Sequence, residues 1–397
     1  MHRRCAAALA QAAQRLDSVL VAAGLIAATV LVMLPVSSWA TTEPGWQLAG
    51  DLRAGLTAGR RDQRDGTSTD SDRLRARARV RLATDPAPNW RFSARVAGTF
   101  ASDQDRFSAW IRRHRPSPTG LEPGDITLDE LYFSHRSESG NWRFGRFQTG
   151  FVLPLVPAKS LDRNDSSNFD IGWTDGVHLS LPAGEHWRAH LIAQANSSRG
   201  TGNTARQPLD FVGRHSRASL YLGLEATEPA GPLIMRMVGL TVMPDSLAHE
   251  GPDARGRQHY VAATARIAAQ QLLGDEGMRL VFAAELGQAP NRPRAAAVGL
   301  DGRARVSGTA YQLGASLYDI RPDHHLGLVW GRAGAGWLIS NDYRPNDELA
   351  ELRYQRRFSP QLSMEIRYRW RRELETPADV QHRRRDRDVY LRLSARF

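Results

Sequence analysis

Residues 72–84 alternate between charged and apolar side chains with a period of two. Arginine occupies the odd positions, at Arg73, Arg75, Arg77, Arg79 and Arg81, and the even positions hold Leu74, Ala76, Ala78, Val80 and Leu82. An α-helix would distribute five such arginines around its circumference, whereas a β-strand places them all on one face. The segment is therefore predicted to be a strand with one basic face and one apolar face.

Alternation of this kind recurs along the chain, and helical periodicity is weak. It predicts sixteen strands, or at most eighteen, near residues 46–58, 72–83, 90–101, 126–136, 141–149, 177–182, 186–196, 217–227, 233–243, 258–270, 277–288, 305–320, 325–341, 347–358, 361–373 and 386–397. Each strand presents apolar residues on one side, as Leu362, Met364, Ile366, Tyr368 and Trp370 do in the strand at 361–373. Such a side is compatible with lipid.

The connections between these strands alternate in length. The short ones cover residues 84–89, 137–140, 183–185, 228–232, 271–276, 321–324 and 359–360. The long ones cover residues 59–71, 102–125, 150–176, 197–216, 244–257, 289–304 and 374–385, and only the short connection at 342–346 breaks the rule. A membrane barrel has tight turns at one rim and long loops at the other. The sequence therefore predicts an all-β fold, a transmembrane antiparallel up-and-down β-barrel, as one domain over residues 41–397.

The first forty residues differ from the rest of the chain. A basic start is followed by an uncharged apolar run at 19–34 and by Ser38-Trp39-Ala40, where small residues stand as a signal peptidase requires. A cleaved signal peptide at 1–40 is therefore expected, with export through the inner membrane of a Gram-negative cell. The alternative is a permanent anchor, for which the apolar run is short. Cys5, the single cysteine, precedes this run, which argues against a lipoprotein and leaves the mature chain without disulfides.

The last residues form another alternating strand. One face carries Val389, Leu391, Leu393, Ala395 and Phe397. An aromatic carboxyl-terminal residue on such a strand resembles the terminal strand of outer-membrane barrels, in which a final Phe is the usual assembly signal. The resemblance implies that Phe397 engages the barrel-assembly machinery. The alternative is a soluble sheet that happens to end in Phe.

Arginines recur opposite the apolar faces at both ends of the chain. The candidate pore-lining set is Arg73, Arg75, Arg77, Arg79, Arg81, Arg91, Arg95, Arg353, Arg367, Arg369, Arg371, Arg392 and Arg396. Because the first and last strands pair to close a barrel, the early and late groups are expected to adjoin as one basic wall. The net charge is +11, and loss of residues 1–40, with three arginines and one aspartate, leaves +9. Such a wall favours anions; the alternative is that the arginines are merely solvated.

The longest connection, at 150–176, follows the fifth strand. It carries Lys159, Asp162, Arg163, Asp165, Asp170 and Asp175. In position and acidity it resembles the third long loop of sixteen-stranded porins, which folds into the lumen as a constriction. The resemblance implies acidic groups that face the arginines across the narrowest point. The alternative is an external loop with solvated aspartates.

These features together make the mature chain resemble a Gram-negative porin. The stretch at 128–150, LDELYFSHRSESGNWRFGRFQTG, looks like the strand–turn–strand segment of phosphate-type, carbohydrate-type and alginate-export-type porins. The resemblance implies passive diffusion of small, preferably anionic solutes, contact with outer-membrane lipid and lipopolysaccharide, and either a homotrimer or a monomer. It leaves the subfamily and the solute open. No cofactor and no nucleic-acid partner is expected.

Other functions have weaker signals. An exporter of an anionic polysaccharide would also use an arginine-lined lumen. A hydrolase barrel would need a Ser–His pair; His178 with Ser180, and His215 with Ser216, are the candidates, but neither lies in a recognisable catalytic stretch. His324 and His325 lack further spaced ligands, so no metal site is expected. The sequence thus favours a channel over an enzyme.

Overall fold

The computed structural model describes residues 45–104, 108–110, 121, 123–195, 218–248, 257–274, 277–302 and 304–397. The proposed signal peptide and the pair His215–Ser216 lie outside these residues. The strands are β1 Trp46–Asp62, β2 Ser68–Ala87, β3 Trp90–Ala101, β4 Ser108–Trp110, β5 Asp125–Ser137, β6 Gly140–Phe147, β7 Thr174–Pro182, β8 Trp187–Ala195, β9 Ala218–Ala226, β10 Leu233–Ala248, β11 Arg257–Leu273, β12 Met278–Gln288, β13 Thr309–Arg321, β14 His324–Ala333, β15 Asp347–Arg357, β16 Leu362–Glu373 and β17 Arg385–Arg396. A short 3₁₀ helix covers Ala295–Val298.

Sixteen of these strands form one closed antiparallel barrel. Each pairs with its neighbours in the chain, β3 pairs with β5, and β1 pairs with both β2 and β17 to close the ring. The three-residue β4 adds only a parallel pairing to β5. The predicted fold class and strand number are therefore confirmed, and closure leaves the barrel strands without a free edge.

The outer surface of the barrel is apolar. Phe282 and Leu286 of β12 are 57% and 56% exposed, and Ile366 and Tyr368 of β16 are 41% and 46% exposed. These residues lie on the faces predicted to meet lipid, where exposure to an acyl chain rather than to water carries no cost. Within the described residues, no helix is long and apolar enough to cross a membrane.

Several strand ends differ from the predicted ones, and three of these differences have an evident physical cause. The β1–β2 ladder continues to the pair Asp62–Ser68, so the first connection is 63–67 rather than 59–71. Polar side chains on both faces there hide the alternation while the backbone pairing persists. The strand predicted at 305–320 begins at Thr309, because Val306 N instead donates to Pro293 O.

The third difference changes the interior. The strand predicted at 325–341 ends at Ala333, and residues 334–346 leave the wall. Trp337, Leu338 and Ile339 are consecutive and all fully buried, which a two-sided strand does not allow. The long connection is therefore 334–346 rather than 342–346, and the alternation of loop lengths has no exception here.

Two loops fold into the barrel. We call residues 148–173, between β6 and β7, the first inner loop, and residues 334–346, between β14 and β15, the second inner loop. Leu161 of the first and Trp337 of the second belong to one buried cluster with Tyr260 of the wall. Trp337 Nε1 donates to Leu161 O at 2.8 Å, which ties the loops to each other. They fill one side of the lumen and leave open the side lined by β1, β2, β15, β16 and β17.

Candidate pore and constriction

The open side of the lumen is lined by arginines from adjacent strands. β1 lies between β2 and β17, so the early and late groups named from the sequence meet there. Arg53 of β1, Arg77 of β2 and Arg392 of β17 point inward and reach the first inner loop. We call the inward arginines of these strands and of β15 and β16 the basic wall: Arg53, Arg73, Arg75, Arg77, Arg79, Arg81, Arg353, Arg367, Arg369, Arg371 and Arg392.

The early part of the basic wall is paired with buried carboxylates. Arg79 Nε lies 3.3 Å from Asp129 Oδ2, and Arg95 Nη2 of β3 donates to the same oxygen at 2.7 Å. Arg81 Nε lies 3.0 Å from Glu130 Oε2. Asp129 and Glu130 were not singled out from the sequence, because they stand on adjacent positions of β5 and break its alternation at a register shift. The arginines there serve the fold as well as the lumen.

The late part is paired in the same way. Asp388 accepts from Arg367 Nη2 at 2.7 Å and from Arg369 Nε at 2.8 Å. Arg392 Nη2 donates to Glu365 Oε2 at 2.8 Å. A carboxylate shared by two guanidiniums leaves an excess of positive charge, so the late wall stays basic.

Three of the predicted lining arginines lie towards the rims. Arg73 Nη2 lies 2.5 Å from Asp103 Oδ2 near the long connection after β3. Arg91, at the short-turn rim, donates to Gln47 Oε1 at 2.7 Å. Arg396 is exposed at the same rim. These positions flank the entrances rather than the narrow part of the lumen.

Lys159 and Arg163 anchor the first inner loop. Lys159 Nζ lies 3.1 Å from Glu351 Oε2, and Glu351 also accepts from Arg353 of the basic wall. Burial lowers the pKa of the Lys159 ammonium, and Glu351 opposes this shift. Arg163 Nη1 donates to Gln194 Oε1 at 2.8 Å. Both cations are buried and hold the loop to opposite parts of the wall.

Asp162 and Asp165 also serve as anchors. Asp162 accepts from Thr241 Oγ1 at 3.2 Å. Asp165 Oδ2 accepts from Thr149 N at 2.8 Å, from Thr149 Oγ1 at 2.9 Å and from Thr174 Oγ1 at 3.1 Å. Burial raises the pKa of the Asp165 carboxyl. The contacts of Asp162 are thus with Thr241 and Arg163, and those of Asp165 with Thr149 and Thr174, rather than with the basic wall.

Of the six loop residues named from the sequence, Asp170 is the carboxylate that reaches the basic wall. Its Oδ1 accepts from Arg75 Nη2 at 3.0 Å. Asp175 lies in β7 rather than in the loop and accepts from Arg146 Nε at 2.8 Å. The expected row of acidic groups facing the arginines is thus reduced to one carboxylate.

Asn168 makes the main contact between the first inner loop and the basic wall. Its carbonyl oxygen accepts from Arg53 Nη1 at 2.5 Å and from Arg77 Nη1 at 2.9 Å, and its Oδ1 accepts from Arg392 Nη1 at 2.5 Å. Sequence reasoning missed this residue, because a neutral side chain gives no charge signal.

Asp342 of the second inner loop fixes the tip of the first. Its Oδ2 accepts from Ser160 N at 2.9 Å and from Asn164 Nδ2 at 2.9 Å, and its Oδ1 accepts from Ser167 Oγ. One carboxylate therefore holds three positions of the loop.

Two cavities lie along the basic wall. The larger, about 1330 Å³, opens toward the long loops, and the smaller, about 320 Å³, lies toward the short turns. Arg53, Gln355 and Arg392 line both, so the cavities adjoin at these side chains. Among its described lining residues the larger has fourteen arginines and one lysine against six carboxylates. The space is therefore polar and strongly cationic.

The candidate catalytic pair does not form a catalytic arrangement. His178 Nε2 lies 3.2 Å from His190 Nδ1, and His190 Nε2 lies 3.0 Å from Glu225 Oε2. Ser180 is not part of this chain of contacts. His324 Nδ1 contacts Tyr354 Oη at 2.6 Å, while His325 Nδ1 accepts from Asp319 N at 3.2 Å. In the described part of the chain, no three His, Cys, Asp or Glu side chains are grouped to hold a metal ion.

The structure of this chain resembles known structures, although its sequence matches no known family. No protein-family model and no curated protein matches the sequence. The structure is similar to that of Pseudomonas putida OprB, with a TM-score of 0.58, 12% identity and coverage of 89% of this chain and 94% of that one. For the outer membrane channel DcaP of Acinetobacter baumannii the TM-score is 0.55 at 15% identity, with coverage of 89% of this chain and 97% of that one. For the anion-selective porin from Comamonas acidovorans the TM-score is 0.53 at 12% identity, with coverage of 89% of this chain and 99% of that one. The chain has the fold of outer-membrane porins.

Proposed function

We propose that this chain, which has the porin fold, is an outer-membrane porin for passive diffusion of small, preferably anionic solutes. The observation that carries the proposal is the cationic excess of the larger cavity, which adjoins a second arginine-lined cavity inside a barrel with an apolar exterior. A solute crossing the barrel would pass along both. The residues named from the sequence as pore-lining are proposed in that role, with Arg53 added.

The physical basis is the potential inside a narrow aqueous space. Low-dielectric walls focus the field of fixed charges, so an excess of guanidinium groups raises the local concentration of anions and lowers that of cations. Planar guanidiniums also match carboxylate and phosphate oxygens in pairs. A neutral solute would cross without this advantage.

The test is the ion preference of the purified protein in a planar lipid bilayer. In a gradient of potassium chloride, the zero-current potential should have the sign of chloride permeation. A potential of the opposite sign, or a bilayer that stays insulating, would refute the proposal.

The same proposal assigns the remaining parts of the chain. Residues 1–40 would direct export and be removed after Ala40, so amino-terminal sequencing of membrane-extracted protein should begin at Thr41.

Phe397, whose main chain pairs with Gly50 in both directions, would be read by the barrel-assembly machinery. The apolar exterior would contact outer-membrane lipid and lipopolysaccharide. A homotrimer and a monomer are both compatible with this proposal, and chemical cross-linking in the membrane distinguishes them.

A further inference from the structure

Three guanidiniums converge on one neutral residue at the junction of the two cavities. Arg53, Arg77 and Arg392 come from three neighbouring strands and donate to the two oxygens of Asn168 at 2.5, 2.9 and 2.5 Å. Arg77 is fully buried. Such a cluster has the geometry of an oxyanion site, yet its occupant carries no charge.

The cluster has more positive charge than its neighbours neutralise. Asp51 accepts from Arg77 Nη2 at 2.8 Å, and Glu365 accepts from Arg392 Nη2 at 2.8 Å. Arg53 Nε is 3.9 Å from Asp51, which is a weak contact with a carboxylate that Arg77 already holds. Three cations thus face two carboxylates, and one charge is unmatched. An anion with two or more oxygens would supply the missing negative charge and would accept hydrogen bonds from the same guanidinium groups.

Asn168 also stands where its removal would matter. Arg53 and Arg392, which hold it, are among the three side chains that line both cavities. Its backbone has φ of 52°, a left-handed conformation that Asn and Gly both adopt more readily than other residues. The contacts with the arginines therefore hold the loop tip across the path between the cavities.

We propose that Arg53, Arg77 and Arg392 form a binding site for a carboxylate or phosphate group, and that Asn168 occupies it as an internal stopper. A solute oxyanion displaces the Asn168 oxygens, binds between the guanidiniums and opens the junction. The inference rests on the proposed function and adds the chemical group that the channel selects and the residue that it must displace.

Asn168 variants test the competition. Glycine keeps the left-handed backbone but lacks the oxygen bound to Arg392, and loss of one charge-assisted hydrogen bond should raise the apparent affinity for an oxyanion about tenfold. Asn168→Asp places a carboxylate in the site and should weaken binding by at least as much. Asn89, in the turn after β2, also has a positive φ of 65° and lies outside the cavities. Asn89→Gly is therefore the matched control and should bind like the parent protein.

The measurement is isothermal titration of the detergent-solubilised barrel with inorganic phosphate and, separately, with acetate, at fixed chloride concentration. The expected order of affinity is Asn168→Gly, then parent and Asn89→Gly, then Asn168→Asp. Binding of only one of the two ions identifies the preferred oxyanion. Failure of Asn168→Gly to bind either ion more tightly than the parent overturns the proposal.

Single-channel recording separates this inference from the function on which it rests. In potassium chloride, Asn168→Gly should conduct more than the parent and Asn168→Asp less. Equal conductance of all three proteins, with chloride preference intact, would contradict the role of Asn168 as a stopper and leave the proposed porin function standing. Absence of any conductance in the parent protein would contradict both the stopper role and the porin function.

Discussion

Arg266 and Glu285 face each other inside the barrel with both side chains fully buried, and Arg266 Nη2 lies 2.8 Å from Glu285 Oε1. The other oxygen of this carboxylate accepts from Leu161 N at 3.0 Å and from Gln312 Nε2 at 2.5 Å. A single side chain of β12 therefore neutralises Arg266 and fastens the first inner loop to the inside of the barrel.

Removal of this carboxylate should destabilise the protein strongly. Glu285→Ala leaves Arg266 as an unpaired buried charge and Leu161 N without its acceptor, at a cost of about 3–5 kcal/mol. The free energy of unfolding, from urea titration in detergent, measures it. Asp319→Asn alters the half-exposed pair with Arg279 and should cost less than about 1 kcal/mol. Equal costs for the two variants would contradict the anchoring role.

A glycine leaves room for the second inner loop. A Cβ on Gly287 would lie 2.6 Å from the Trp337 ring, which is fully buried. Gly287→Ala should therefore displace the indole and cost about 1–3 kcal/mol in unfolding free energy. Gly172→Ala, whose Cβ would have no contact nearer than 3.5 Å, is the control. A Gly287→Ala protein as stable as this control would show that the loop packs differently.

Charge in the smaller cavity should set part of the ion preference. Ser363 lines this cavity, so Ser363→Glu places a negative charge beside the path. A unit charge about 4 Å from an ion in water contributes about 1 kcal/mol, or about fivefold in the permeability ratio. The zero-current potential should move toward that of potassium. Ser363→Gln adds the same bulk without charge, and a similar shift in that variant would rule out an electrostatic cause.

The stability that Asp165 contributes by anchoring the first inner loop should depend on pH. Burial raises the pKa of its carboxyl above the ordinary 3.8, although Arg163 and three donated hydrogen bonds oppose the shift. The folded protein thus holds this proton more tightly than the unfolded chain. The resulting stabilisation is complete below the ordinary pKa and is lost as the pH rises through the folded value.

Asp165→Asn cannot titrate at this position and isolates the effect. The unfolding free energy of the parent minus that of the variant should fall as the pH rises from about 4 to about 8. Urea titrations at several pH values measure it. A difference that grows with pH would mean that the hydrogen bonds outweigh burial.

Period-two alternation was sufficient to predict the wall but not the lumen. In β2 the basic and apolar faces are as expected, because water and lipid impose opposite demands on them. Residues 334–341 are apolar for another reason, since Trp337 packs inside the barrel rather than against lipid. Local sequence does not distinguish these two environments, so β14 was predicted too long.

The constriction was harder to predict than the wall. Its charged loop residues could be named from composition, but most of them turn away from the arginines and form anchors. Asn168 gains its importance from Arg53, Arg77 and Arg392, which are distant in the sequence and meet only when β1 lies between β2 and β17. The residue pattern within one strand carries no information about contacts between side chains of strands that are distant in the sequence.

The clamp of Asp342 on Ser160 and Asn164 joins residues that are separated by 182 and 178 positions. During biogenesis the first inner loop stays unfastened until the strands that carry the two inner loops belong to one barrel, because the clamp needs groups from both loops. Sealing against uncontrolled leakage is thus a late event, and a barrel arrested before that point would be more permeable than the finished one.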